Sequence, residues 1–433
     1  MITRREWLAA GPAIWLGGRL SPSERLNVAA IGCSGRGAEN LKGLAALPDV
    51  NLVAFCDVDA HALARGLKLN PGAKSFRDWR KMFDAIPGEI DAVVVSTPDH
   101  MHAPVSLAAL RLGKHVYCEK PLTWSIEEAR LMAETARGKK VATQMGTQGM
   151  ALDGARAGIE TIRTGVLGEI RELHVWTDRA GKRWWPQGID RPEETHPVPD
   201  HLDWDLWLGV APERPYHKIY HPFRWRGWKD FGTGAVGDMG IHNAAMVLAA
   251  LRLGPPRSAE ILETSGLKEE TFPAWSRLRV EFAAPGRGGT IPLFWYDGGQ
   301  KPSPDLIGGQ NVAENGAIVV GSKGTLYSIE WTGANWKLLP EEKFAGHPRP
   351  EPTLPRAPGE DPYREWVRAC TGGPPAFCNF PDFASPLTET MLVANLALRT
   401  GEKISWDAAA LKARGCPAAD PAIRRAYRKG WSL

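Results

Sequence analysis

Two short stretches carry side chains that could move a proton and steady a negative charge. The first is Cys118-Glu119-Lys120-Pro121, which closes the apolar run His115-Val116-Tyr117. That run reads as a buried strand. A lysine at the carboxyl end of a parallel strand points into the crevice where α/β sheets take ligands, and Pro121 stops the strand beside it. The second stretch is Asp238-Met239-Gly240-Ile241-His242. Residues i and i+4 share a helix face, so Asp238 and His242 present together, with Gly234, Gly237 and Gly240 leaving room around them. A carboxylate holds an imidazole in one tautomer and raises its basicity. Such a histidine, with an ordinary pKa of about 6.5, can take the proton of a hydroxyl. A nearby ammonium would stabilise the alkoxide that develops. Lys120, Asp238 and His242 are therefore the catalytic candidates. Taken singly, each has a plainer reading: a surface lysine before a turn, a helix cap and a core histidine.

A third stretch supplies a cofactor site. The apolar strand 26–31 runs into Gly32-Cys33-Ser34-Gly35-Arg36-Gly37 and then a helix. A G-x-G-x-x-G turn lets the backbone approach a pyrophosphate, which sits on the helix N-terminus. Here Ser34 takes the second glycine position. Asp57 ends the next strand, where a carboxylate accepts hydrogen bonds from a ribose diol. It would repel a 2′-phosphate, so NAD is expected rather than NADP; Arg36 could soften that preference by pairing with a phosphate. Ser96-Thr97-Pro98-Asp99-His100-Met101-His102 closes the following long strand on the same sheet edge and should line the nicotinamide side. His-x-His also invites a metal, but no third ligand of clear spacing accompanies it, and no metal is expected.

These motifs need a scaffold. Strands at 26–31, 51–56, 90–96, 114–118 and 140–145 alternate with helices at 59–69, 103–112 and 125–137, the pattern of βαβ units and a parallel sheet. After about residue 150 the pattern changes. A helix at 151–164 leads to a strand at 170–177. Residues 180–235 are rich in Pro, Trp, His and Gly with little periodicity, as in an elaborated functional cap. A helix at 238–252 and strands at 257–263, 277–283, 290–296, 317–320 and 325–330 follow, then helices at 361–371, 386–399 and 420–428. The fold class is α/β: an N-terminal Rossmann dinucleotide-binding domain, then a C-terminal α+β domain with a large open mixed or antiparallel sheet. The expected divisions are a 1–25 extension, 26–148 and 149–433.

Composition excludes some partners. With 53 basic and 49 acidic residues, the near-balance argues against nucleic acid. The densest basic patch, Arg424, Arg425, Arg428 and Lys429, reads as a solvated helix face. No stretch reaches the ~18–20 apolar residues of a membrane span. The 18 Trp outnumber 12 Phe and 7 Tyr. Flat aromatic faces suit sugar rings, although core packing is their commoner use. Arg224, Trp225, Trp228 and Tyr296 are the candidates for substrate contact. Arg4-Arg5 before the short apolar stretch 8–18 resembles a twin-arginine export signal, without an A-x-A cleavage site. The alternative is a cytoplasmic protein with an untidy start.

Together, the glycine turn at 32–37, Thr97-Pro98 with His102, Glu119-Lys120-Pro121, and Gly234-x-x-x-Asp238-x-Gly240-x-His242 resemble the family of glucose–fructose oxidoreductase, inositol 2-dehydrogenase and the MocA proteins. Val320-Gly321-Ser322-Lys323-Gly324 extends the resemblance along most of the chain. It implies a Rossmann domain followed by an α/β domain whose open sheet is often used for homo-oligomerisation. By position, it implies a catalytic trio of Lys120, Asp238 and His242, with His242 as acid/base. It also implies cofactor contacts at Gly32, Ser34, Gly35, Arg36, Gly37, Asp57, Ser96, Thr97, Pro98, His102, Glu119 and Lys120. Ser34 and Ala245 depart from the family pattern, the latter standing where many members have Asp. The paired arginines are similar to the exported, periplasmic branch, in which the NAD can stay bound through turnover. Three activities follow as expectations. The first is an NAD-dependent oxidoreductase acting on a secondary hydroxyl of a sugar, polyol or glycoside. The alternatives are a redox-neutral NAD-dependent glycoside hydrolase and a non-catalytic dinucleotide sensor. The Gly-Gly-His-Gly-Gly loop of one glycosidase branch is absent.

Overall fold

The computed structural model describes residues 25–180, 184–286 and 288–433. The paired arginines and the apolar stretch after them lie outside these residues. Six strands, β1 (Leu26–Ile31), β2 (Val50–Cys56), β3 (Lys74–Phe76), β4 (Ala92–Val95), β5 (His115–Cys118) and β6 (Thr143–Met145), form a sheet of order β3-β2-β1-β4-β5-β6. Every pairing in it is parallel. β4 is Ala-Val-Val-Val and buried throughout, as a central strand covered on both faces requires. The strand order reverses between β1 and β4, the switch point at which doubly wound sheets bind ligands. Local chemistry fixes the helices. Ser125 and Glu128 form a reciprocal capping box on the helix Ile126–Lys139, and Asp59 caps Ala60–Leu67. The sequence reading missed β3 and the helix Trp79–Ala85 because both are short.

The second sheet has nine strands: β7 (Ile170–Trp176), β8 (Ser258–Thr264), β9 (Ser276–Ala283), β10 (Thr290–Tyr296), β11 (Gly316–Gly321), β12 (Thr325–Ser328), β13 (Trp336–Leu339), β14 (Ile404–Asp407) and β15 (Lys412–Arg414). Their order is β13-β12-β11-β7-β10-β9-β8-β14-β15. Only β7 and β10 pair in parallel; the remaining assigned ladders are antiparallel. Alternation decides the faces. Leu173, Val175, Leu278, Val280, Leu293 and Trp295 join the core shared with the helices. Trp176, Tyr296, Ile318 and Tyr327 form a separate cluster with Ile307 and Leu339. The expected single helix at 238–252 is two, Gly234–Asn243 and Ala245–Leu251, bent by 60°. Among the described residues no single helix is long and apolar enough to cross a membrane.

The two halves interlock. Tyr363, Trp366 and Val367 of the helix Pro362–Cys370 are buried with Val28, Leu41, Leu44 and Tyr117 of the Rossmann core. Tyr363 lies so close to Gly43 that a Cβ there would stand 2.3 Å from the ring. Beyond it, Cys378 O accepts from Met145 N of β6. The basic patch near the C-terminus is a correction. The final helix covers only Asp420–Ile423; Arg424 and Lys429 beyond it are exposed, whereas Arg425 and Arg428 are fasteners. Arg425 is stacked over Trp124 at 4.1 Å and donates to Asp230 O, while Arg428 donates to Gly209 O.

Because Trp366 is fully enclosed in that shared core, Trp366→Ala should cost about 3–5 kcal/mol, read as a drop in the urea midpoint. A change near zero would detach helix 362–370 from the Rossmann core.

Candidate active site

A cavity of about 650 Å³ lies between the carboxyl edge of the parallel sheet and the helix Gly234–Asn243. The catalytic candidates meet there. Lys120 Nζ donates to Asp238 Oδ1 at 2.6 Å, and Arg226 Nε reaches the same oxygen at 3.2 Å. Only 13% of the Lys120 side chain and 6% of the Asp238 side chain are exposed, so the pair is shielded from water. Burial alone would raise the Asp238 pKa. Attraction to Lys120 and Arg226 outweighs it and holds the carboxyl far below the ordinary range. His242 shares the cavity, its ring edge-on to Trp331 at 5.1 Å. Burial and then the Lys120 charge push its pKa well below 6.5, which keeps it neutral.

One expected contact changes. Asp238 was expected to orient His242 by sharing its helix face. Its Oδ1 instead takes Lys120 and Arg226, and His242 Nδ1 is buried without a hydrogen-bond partner. The carboxylate is drawn to two cations, a stronger attraction than a neutral ring offers.

The cofactor candidates divide by what they touch. Gly32, Ser34, Gly35, Arg36, Asp57, Ser96, Thr97 and Pro98 line the cavity. Gly35 has φ +53° with open space where a Cβ would be, and the helix Arg36–Ala45 behind it has no side-chain cap. The start without a side-chain cap suits an anion, although Gly37 N already donates to Ser34 O at 2.9 Å. A Cβ at Gly32 would stand 2.5 Å from Ser96 O. Asp57 Oδ2 accepts from Cys33 N at 2.8 Å and Oδ1 from Asp59 N at 2.9 Å, which aims the carboxylate at the cavity; burial pushes its pKa up to about 6. Thr97 Oγ1 is buried without a partner. An uncapped helix start, a carboxylate at the end of β2 and an orphaned hydroxyl fit a dinucleotide.

Four expected cofactor contacts also have structural roles, and three of them, Arg36, His102 and Glu119, line the cavity. Gly37 lies behind the turn, where a Cβ would meet Gly32 O at 2.3 Å, so its role is close packing. His102 borders the cavity, but its ring nitrogens face Pro121 O and Thr97 O, each at 2.8 Å. Burial opposes a charge on it, yet the Cys118 thiol and the two carbonyls raise its pKa above the ordinary value. It ties the loop after β4 to the backbone beside Lys120. Glu119 accepts from Asn40 at 3.0 Å, Gln148 at 3.3 Å and Arg36 at 3.4 Å, so it braces the glycine-turn helix against β5. Arg36 also donates to Tyr363 Oη at 3.0 Å. Its Nε and Nη2 are thus both engaged within the protein. His100 faces Trp207 O and Phe231 O, and burial pushes its pKa to about 3. The His-x-His pair thus serves the backbone.

Of the substrate candidates only Trp225 borders the cavity. Arg224 is exposed on the far side of its turn, Trp228 is fully enclosed in an aromatic cluster with Tyr220 and Phe231, and Tyr296 lies on the sheet face away from the helices, bonded to His174. Residues the sequence reading missed take their places. Arg226 stacks on Trp225 at 4.3 Å and Phe223 at 4.4 Å, and Arg179 on Trp184 at 3.8 Å. The tryptophan density pointed to this segment. Nothing pointed to Trp331, which comes from the loop after β12.

These features define a dinucleotide-binding Rossmann protein whose second, α/β domain closes over the cofactor edge. Residues 26–147 match the oxidoreductase family with an NAD-binding Rossmann fold, and residues 160–285 match its C-terminal α/β domain. The chain belongs to the Gfo/Idh/MocA family. It is 28% identical over 186 residues to a 1,5-anhydro-D-fructose reductase of Ensifer adhaerens, covering 42% of this chain and 44% of that protein. It is 28% identical over 200 residues to a glycosyl hydrolase family 109 protein of Stenotrophomonas maltophilia, covering 40% and 41%. The chain thus spans less than half the length of these curated relatives. Among solved structures, the WlbA dehydrogenase of Bordetella pertussis, in complex with NADH and UDP-GlcNAcA, superposes with a TM-score of 0.60 at 18% identity, over 88% of this chain and 99% of that one. That likeness is one of fold.

Asp99 gives the site a pH signature. It borders the cavity, fully buried and bonded to Thr233 Oγ1 at 2.7 Å, and burial raises its pKa from 3.8 to about 7. The folded state therefore holds a proton that the unfolded chain loses from about pH 4 upward. This contribution is complete below pH 4 and is lost as pH rises to about 7, of order 4 kcal/mol in all. Asp99→Asn should remove that slope. Urea unfolding at pH 5 and pH 8 should show the variant gaining on the wild type at the higher pH.

Proposed function

We propose that the protein is an NAD-dependent oxidoreductase that moves a hydride between a nicotinamide cofactor and a secondary hydroxyl of a sugar, polyol or glycoside. The observation that carries this reading is the Lys120–Asp238 pair beside a neutral His242, in the same cavity as the glycine turn and Asp57. When bound, the cofactor supplies the hydride acceptor; the turn at 32–37, Asp57 and Thr97 would hold it. His242, neutral at physiological pH, takes the hydroxyl proton. The Lys120 ammonium lies beside the oxygen that becomes negative. Asp238 fixes the ammonium in place, and Arg226 holds the Asp238 carboxylate. Trp184, Trp225 and Phe223 offer flat apolar surface to a sugar ring.

The similarity to a glycosyl hydrolase family 109 protein favours one second reading. In it, the same proton chemistry would oxidise a sugar ring transiently, permit elimination of the aglycone, and then restore the ring. Arg4-Arg5 supports export to the periplasm, and the broad second sheet supports a homo-oligomer.

Denaturing the purified chain should release NAD(H). A panel of sugars, polyols and nitrophenyl glycosides, offered with and without added NAD, then separates the readings. NADH accumulating with free sugars supports the oxidoreductase, whereas aglycone release without net NADH overturns it in favour of the hydrolase. Lys120→Ala should lower kcat by about 10²–10³-fold and His242→Ala by about 10²–10⁴-fold, with cofactor content retained. Loss of the cofactor from Lys120→Ala would reassign Lys120 as a cofactor ligand.

A further inference from the structure

Away from the reacting groups, three imidazoles from three separate segments gather around one carboxylate. Asp59 follows β2 and caps the helix Ala60–Leu67; its Oδ1 accepts from His61 N at 2.8 Å and Ala62 N at 3.3 Å. His61 stands in the first turn of that helix with its side chain exposed. His201 comes from the cap segment, and its Nδ1 lies 3.0 Å from Asp59 Oδ1. The His61 and His201 rings stack with centroids 4.1 Å apart and planes inclined by 23°. His221, from a third segment that borders the cavity, places Nε2 4.0 Å from Asp59 Oδ2.

The backbone holds these side chains independently of any ligand. Ala60 N donates to His201 O at 2.8 Å, Asp203 N donates to Val58 O at 2.9 Å, and Asp59 bridges Leu202 in antiparallel fashion. Arg77 reaches across to both Val58 O and His201 O. The carboxylate and the His201 imidazole are thus brought together by main-chain bonds as well as by their own hydrogen bond. One ligand atom from each of Asp59, His61 and His201 lies within 4.8 Å of the others. Ligands on a tetrahedral ion with bonds of about 2.0–2.1 Å stand about 3.4 Å apart, which rotation of the exposed His61 and the half-buried His201 side chains can reach. The donor set is imidazole nitrogen with one carboxylate oxygen, which suits a borderline divalent ion such as Zn²⁺ rather than Ca²⁺ or Mg²⁺.

We propose that Asp59, His61 and His201 form a divalent transition-metal site, with His221 as its fourth ligand. The ion takes the place of the His201–Asp59 hydrogen bond, with the ring proton of His201 carried on Nε2. It clasps the cap to the Rossmann domain two residues beyond Asp57, at the rim of the cavity. His61 opens the site to solvent, so the ion exchanges without disturbing the core. Neither the glycine turn nor the Lys120–Asp238 pair takes part.

The full-length chain, stripped with a chelator and dialysed, would be titrated with Co²⁺ and then Zn²⁺. The expected result is one equivalent of Co²⁺ with the visible d–d absorption of a four-coordinate site, displaced by Zn²⁺, and a Zn²⁺-dependent rise in Tm. His61→Ala and His201→Ala should each weaken binding by more than the ~10–100-fold that loss of an outer-shell partner costs. His61 is exposed, so His61→Ala keeps the test valid should the His201 variant fold poorly. Absence of the Co²⁺ band in the wild type overturns the proposal. So does equal uptake by the wild type and His61→Ala.

Discussion

The site depends on one buried ion pair. Lys120 and Asp238 belong to different domains, and their contact at 2.6 Å is the charged link across the cavity. Taking two charges out of water costs several kcal/mol for each ion, and only close geometry with further hydrogen bonds offsets it. Arg226 supplies one of those bonds to Asp238. The surroundings are arranged around the same need. His102 ties the loop after β4 to Pro121, Glu119 is held by side chains of Asn40, Gln148 and Arg36, and Gly146 leaves room for its carboxylate. A buried pair of this kind adds little stability, so its value lies in placing a fixed positive charge beside a neutral histidine.

That arrangement explains why the histidine is left without a carboxylate partner. An Asp–His hydrogen bond would raise the basicity of His242. Here burial and the neighbouring ammonium act the other way. A neutral ring is in the form that receives a proton. Asp238 meanwhile stays ionised because two cations face it. Two titratable groups on one helix face are thus both held deprotonated, one as an anion and the other as a neutral ring.

Much of this was legible in the chain because it depends on local patterning. β4 announces itself as a run of valines, and β1, the glycine turn and Asp57 follow from spacing that only a βαβ unit satisfies. Lys120 and Asp238 were legible because strand ends and i, i+4 spacing carry direction. The substrate wall was not. Trp225 and Trp228 are three residues apart in a segment without periodicity, and nothing local says that one turns to the cavity and the other into the cluster with Tyr220. Tyr296 shows the limit for strands: alternation puts it opposite Trp295, but which face meets the helices is decided by tertiary packing. His102 and Glu119 were found as site residues, yet partners such as Pro121 O and the Asn40 amide of the glycine-turn helix are set by tertiary packing. The short strands β3, β14 and β15 carry too few residues for any pattern.

The shared core with helix 362–370 bears on how the chain is made. A ribosome releases the whole parallel sheet more than two hundred residues before it releases Trp366. During that interval the outer side of β1 and the helix after it, with Val28, Leu41 and Leu44, lacks its cover. The nucleotide-binding half is then a sheet with one wall missing, sticky toward other nascent chains. Its native closure waits on nearly complete translation, so the first domain to emerge is among the last to be finished.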